Sequence, residues 1–156
     1  MRSQRRSAPR PLTYPRPAAP HHLALIGACG VGKTHLARGL VARGLTHLSI
    51  DVLRADGGDW EDLVSIMGRA TMPLVIESVG SPVIYRRALP AARALLVQVR
   101  CDEAVRRQRI SARPADMQGT HQPLVVPHVT VDTTGPVPDQ LLDHLAGLVP
   151  GSSIAA

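Results

Sequence analysis

From residue 22 onward the chain alternates short apolar runs with stretches that repeat apolar residues at helical spacing. The runs Leu23–Ile26, His47–Ile50, Pro73–Ile76, Ala94–Val99 and His128–Val131 read as strands, the first of them a buried one running straight into a glycine-rich loop. The first helix is predicted over Lys33–Arg43, where Leu36, Ala37, Leu40 and Val41 form one stripe and Gly44 suits the stop. A turn follows at 56–58. The helix after it, Asp59–Arg69, crowds Asp59, Glu61 and Asp62 into a first turn where the helix dipole favours acids. Further helices are predicted over roughly 83–93, over Asp102–Arg113 with Pro114 as its stop, and over Pro138–Val149; residues 114–127 read as irregular. Strands separated by helices are βαβ units, so the predicted fold is α/β: a three-layer sandwich around a five-stranded, mainly parallel sheet. Trp60 is expected to pack its helix on that sheet, and Arg86 and Arg87 to be solvated.

Composition narrows this picture. At 156 residues and 44% apolar content there is room for one core and hardly for two. No repeat is visible, and no apolar run approaches the ~20 residues that cross a bilayer. No apolar stretch lies among the first twenty residues, so a cytoplasmic location is expected. The net charge of +6 is concentrated in that tail: Arg2, Arg5, Arg6, Arg10 and Arg16 face no acid, and residues 21–156 are almost balanced. Residues 21–150 are thus predicted as the folded domain, with 1–20 and 151–156 as disordered ends. A near-neutral core with few aromatic residues argues against nucleic acid as partner. Cys29 and Cys101 match no metal spacing and are expected as thiols.

The chemistry lies in Gly27-Ala28-Cys29-Gly30-Val31-Gly32-Lys33-Thr34, a P-loop pattern with a strand before it and a helix after it. Glycines at 27, 30 and 32 permit the tight, partly left-handed path that turns successive N–H groups onto phosphate oxygens. The helix adds its positive N-terminal end. Lys33 is expected to reach the β- and γ-phosphates of ATP, and the Thr34 hydroxyl to ligate Mg²⁺. Lys33 is the only lysine against seventeen arginines. It stands where a compact ammonium is needed rather than a guanidinium fork.

No Asn occurs anywhere, which excludes the Asn-Lys-x-Asp guanine loop of Ras-like GTPases. The LSGGQ signature of transporter ATPases is also missing, and too few residues remain for a hexameric ATPase. Residues 22–149 resemble the small-molecule P-loop kinases, the group of shikimate, gluconate, adenylate and polynucleotide kinases. Asp51-Val52-Leu53-Arg54, after the second strand, which is expected beside the strand that enters the glycine loop, looks like their Asp-x-x-Arg. The resemblance implies that Asp51 faces the acceptor hydroxyl as base and that Arg54 binds an acidic group of the acceptor. Leu74-Val75-Ile76-Glu77 resembles a Walker B strand, with Glu77 holding Mg²⁺ through water. Arg106, Arg109 and Arg113, at i, i+3 and i+7 of one helical face, resemble lid arginines that neutralise charge on the polyphosphate. Val131-Asp132-Thr133-Thr134-Gly135 resembles the adenine-side loop.

The departures concern the acceptor. Only 55–72 separate the second and third strands, Ser78-Val79-Gly80-Ser81 stands where shikimate kinases have a Gly-Gly pair, and 114–127 is a brief lid. The resemblance implies a phosphotransferase that uses ATP and Mg²⁺ on a small-molecule acceptor. The rival readings are a non-catalytic nucleotide-binding or regulatory protein of kinase-like fold, and a polynucleotide-end kinase. The oligomeric state is left open.

Overall fold

Leu23, Ala24, Leu25 and Ile26 have no exposed surface, and successive side chains of a strand point to opposite faces. Leu23 and Leu25 pack with Leu36, Leu40, Leu142 and Leu145 on one side. Ala24 and Ile26 pack with Ile50, Trp60, Leu63 and Leu96 on the other. A strand apolar on both sides has to be covered on both, and that requirement produces the three layers.

A computed structural model describes residues 20–80, 86–113 and 121–149. Its elements are β1 (His22–Ile26), α1 (Lys33–Val41), β2 (Thr46–Ser49), α2 (Ile50–Ala55), α3 (Trp60–Arg69), β3 (Leu74–Ser78), α4 (Ala88–Ala91), β4 (Ala94–Arg100), α5 (Glu103–Ile110), β5 (Val129–Asp132) and α6 (Asp139–Gly147). The five strands form one sheet in the order β2-β3-β1-β4-β5. Every pairing is parallel, so the mainly parallel sheet expected from the sequence is wholly parallel among the described residues. No helix of the described residues is long and apolar enough to cross a membrane. Of the ends predicted as disordered, residues 1–19 of the tail and all of 151–156 lie outside the described residues, as do 81–85, 114–120 and residue 150.

Three expectations are corrected. The second strand does not run to Asp51: it stops at Ser49, and Ile50, buried to 1% exposure, anchors a short helix α2 with Asp51 in its first turn. An acid there is favoured by the helix dipole. Nor does β2 lie beside β1, because β3 intervenes. Third, the described part of the helix expected over 83–93 holds a 3₁₀ turn at Arg86 and Arg87 and a short α-helix at Ala88–Ala91. The helix from Trp60 follows its sequence signal closely. Asp59 accepts from the Glu61 and Asp62 amides while Asp62 accepts from the Asp59 amide, a reciprocal capping box.

Candidate active site

All five strands deliver their carboxyl ends to one edge of the sheet, where parallel α/β sheets place their ligands. A cavity of about 960 Å³ lies there, lined by the glycine loop, the start of α1, the β2–α2 junction, the end of β3, Arg109 and Arg113, and residues 133–137.

The loop is built by geometry that few residues tolerate. Gly30 and Gly32 have φ of 84° and 94°, the left-handed region open to glycine. Gly27 is needed for space instead: a Cβ there would stand 2.5 Å from the Val99 carbonyl oxygen. From the first position of α1, buried Lys33 donates from Nζ to the carbonyls of Gly27 (2.7 Å) and Ala28 (2.8 Å). An ammonium has three donors, so these bonds aim the group across the mouth of the loop with one donor left. Burial pulls the Lys33 ammonium below its usual range, opposed chiefly by the Glu77 carboxylate.

Register places the first carboxylate. Glu77 is level with Leu25 on β1 and Ser49 on β2. It shares the face of Val75, which packs in the core under α1. It therefore meets the first turn of α1, and Thr34 Oγ1 donates to Glu77 Oε1 at 2.5 Å. His47 Nε2 lies 2.9 Å from Glu77 Oε2. Asp51 lines the same cavity from the first turn of α2. Arg54 is exposed and is not among the lining residues.

The arginine face predicted for the lid helix divides. Helix α5 ends at Ile110, and Arg113 follows in a turn, its amide donating to the Ile110 carbonyl; a residue before proline is disfavoured in the helical region. Arg113 Nη1 donates to Cys29 Sγ at 2.8 Å, and Arg109 Nη2 to the Thr133 carbonyl at 2.7 Å. Both line the cavity. Arg106 does not: it pairs with Glu103 and donates to the Cys29 carbonyl. Thr133, buried, donates to the Val31 carbonyl, which clasps the loop after β5 to the glycine loop.

No family model and no curated sequence matches this chain. Solved structures do. The gluconokinase of Sinorhizobium meliloti 1021 superposes with a TM-score of 0.59 at 19% identity, over 83% of this chain and 92% of that one. The APS kinase of Mycobacterium tuberculosis, solved with AMPPNP and APS, gives 0.58 at 15% identity, over 85% and 98%. The shikimate kinase of Acinetobacter baumannii, solved with shikimate, gives 0.56 at 16% identity, over 82% and 89%. The fold is that of the small-molecule P-loop kinases.

Within this P-loop kinase fold several side chains escaped the sequence reading. His47 and Ser49 could have been found, since both stand on the face of β2 that matches Val75 and Glu77 of β3. Arg86, expected to be solvated, is 4% exposed, donating to the carbonyls of Gly80 (2.8 Å) and Pro123 (3.1 Å). Gln98 donates to the Ile26 carbonyl (3.1 Å) and accepts from the Leu124 amide (2.8 Å). Those two partners fix its amide, so its Nε2 also faces His121 Nε2 at 3.1 Å. His121 is then neutral with the proton on Nδ1, which donates to the Val79 carbonyl at 2.9 Å. Burial lowers its pKa, and the cations of Arg86 and Lys33 act the same way. Nothing local in the sequence announces a network whose bonded pairs Gln98–His121, Arg86–Pro123 and Gln98–Ile26 stand 23, 37 and 72 positions apart.

Proposed function

We propose that this chain is an ATP-dependent phosphotransferase that moves the γ-phosphoryl group of ATP to a hydroxyl or phosphate group of a small molecule. The observation that carries this reading is one cavity holding a glycine loop with its lysine, the Thr34–Glu77 pair and the Asp51 carboxylate. The amides of residues 27–34 and the Lys33 ammonium would hold the phosphates, as helix N-termini and concave runs of N–H groups do. Thr34 Oγ1 and Glu77 would hold Mg²⁺, the latter directly or through water. Among the described residues no group of three His, Cys, Asp or Glu could hold a metal ion. That suits Mg²⁺, which takes one or two protein oxygens and completes its shell with phosphate and water. The ion supplies charge neutralisation on the phosphates.

Arg109 and Arg113 add positive charge from the other wall, where charge develops during transfer. Asp51 accepts the acceptor's hydroxyl proton, and its place on the cavity favours catalysis over nucleotide binding alone. A cytoplasmic location accords with ATP as donor. The test is ADP release with Mg·ATP and pooled sugars, nucleosides, nucleotides and hydroxylated antibiotics. At least one pool should raise the rate above that without acceptor. A rate that no pool raises would leave only nucleotide binding.

A further inference from the structure

A glutamate carboxylate turns about a terminal bond whose torsion is broad, and that freedom is lost when the group takes hold of an ion. Two elements restrict Glu77 beforehand. The Thr34 hydroxyl of α1 donates to Oε1 at 2.5 Å, and His47 Nε2 of β2 stands 2.9 Å from Oε2. An ionised carboxylate only accepts, so His47 Nε2 carries the hydrogen and donates it.

The register of the sheet sets up this second bond. His47 is level with Val75 and Ser49 with Glu77, all on one face. One pleat, about 6.6 Å, separates the levels of His47 and Glu77, and an imidazole and a glutamate bridge it together. Their side chains are 33% and 15% exposed, and both residues line the cavity. An exposed pair on an edge strand adds little to stability, so the value of this one lies in orientation.

The other groups near Glu77 do not supply it. Lys33 is bonded to the Gly27 and Ala28 carbonyls and acts on Glu77 through charge. Thr34 holds one oxygen, and a single bond leaves the carboxylate free to swing about it. Arg38 and Ser49 line the cavity, but Glu77 accepts from Thr34 and His47 alone among the described residues. An ionised carboxylate offers about four lone-pair positions, so both oxygens keep room for an ion or a water bound to it.

We propose that His47 is a positioning residue: its Nε2–H fixes the Glu77 carboxylate beside the Thr34 hydroxyl before Mg²⁺ arrives. The inference rests on the phosphotransferase reading, in which Thr34 and Glu77 hold that ion. Loss of the imidazole weakens the hold on Mg²⁺, while the glycine loop goes on holding the phosphates of ATP.

The experiment follows the melting temperature of the full chain at one fixed ATP concentration, first in EDTA and then with Mg²⁺ added stepwise. Fixing ATP keeps the ion's equilibrium with free ATP common to all variants. His47→Ala and His47→Val, the latter suited to an edge strand, should respond to ATP in EDTA as the wild type does. Each should need about tenfold more Mg²⁺ for half of the further rise, the lower end of what loss of an outer-shell partner costs. His47→Gln keeps a donor N–H at similar reach and should stay within about threefold of the wild type. In Glu77→Gln, adding His47→Ala should change the Mg²⁺ requirement no further, because the carboxylate it positions is gone. An unchanged Mg²⁺ requirement in His47→Ala and His47→Val would overturn the proposal, as would an equal increase in His47→Gln. If Mg²⁺ adds nothing to the rise that ATP gives the wild type, or ATP gives none, the phosphotransferase reading itself fails, and this role of His47 with it.

Discussion

Asp51 carries the most chemistry of any single residue in this account. It is exposed, lines the cavity and sits in the first turn of α2. Asp51→Asn keeps size and hydrogen bonding but removes the base, a contribution of roughly 10²–10⁴-fold. ATP affinity should stay near normal while kcat falls at least about a hundredfold. Turnover near the wild-type rate would remove Asp51 from the mechanism; lost ATP binding would make it a metal ligand. Arg54→Ala separates what the sequence implied from what the fold allows. The Asp-x-x-Arg resemblance gives Arg54 the acceptor's acidic group, and its substitution would then raise the acceptor KM steeply. Its side chain does not line the cavity, so KM is expected to change by no more than about twofold, as for surface substitutions. The place of Asp51 at the cavity was legible from its position after an apolar run. Arg54 is not among the lining residues, on a helix that buried Ile50 starts where the sequence reads a strand end.

Elements are joined by buried polar side chains that no local pattern reveals. His22, 1% exposed, accepts from the Leu74 amide at Nδ1 (3.1 Å) and donates from Nε2 to the Met67 carbonyl (2.9 Å), tying the end of α3 to the start of β3. Adjacent histidines before a strand gave no sign of this. Burial lowers the pKa of His22, as it does that of His121. A histidine in the unfolded chain titrates near about 6.5. Below that pH the unfolded state takes up protons that the folded state refuses, so stability is lost as pH falls from about 6.5 toward the depressed folded values. The melting temperature should drop between about pH 7 and 5, and His22→Gln should lower it at pH 7 while flattening that dependence. An unchanged slope would clear His22 of the role. Arg86 links the loop after β3 to the segment at 121–124. Arg86→Ala leaves two carbonyls without their donor and should cost about 1–3 kcal/mol in urea unfolding.

For the whole molecule, the nucleotide half was legible and the acceptor half was not, for a physical reason. Residues 27–34 form a contiguous device whose action depends on backbone angles and one ammonium, all written in eight letters. The two-sided core was legible because the central strands β1, β3 and β4 carry buried apolar runs, whereas the edge strands β2 and β5 are only partly buried. Sheet order is a non-local property: nothing in β2 or β3 says that β3 takes the place beside β1. That order still brings Asp51 to the cavity because α2 begins where β2 ends. Every functional statement here rests on the glycine loop binding Mg·ATP through Lys33. The direct test is thermal unfolding of the wild type and Lys33→Ala with and without Mg·ATP. Ligand linkage stabilises the wild type by about 2.7 kcal/mol at a hundredfold excess over Kd. A clear rise is expected for the wild type and little for Lys33→Ala; equal rises in both, or none in either, would contradict binding through Lys33.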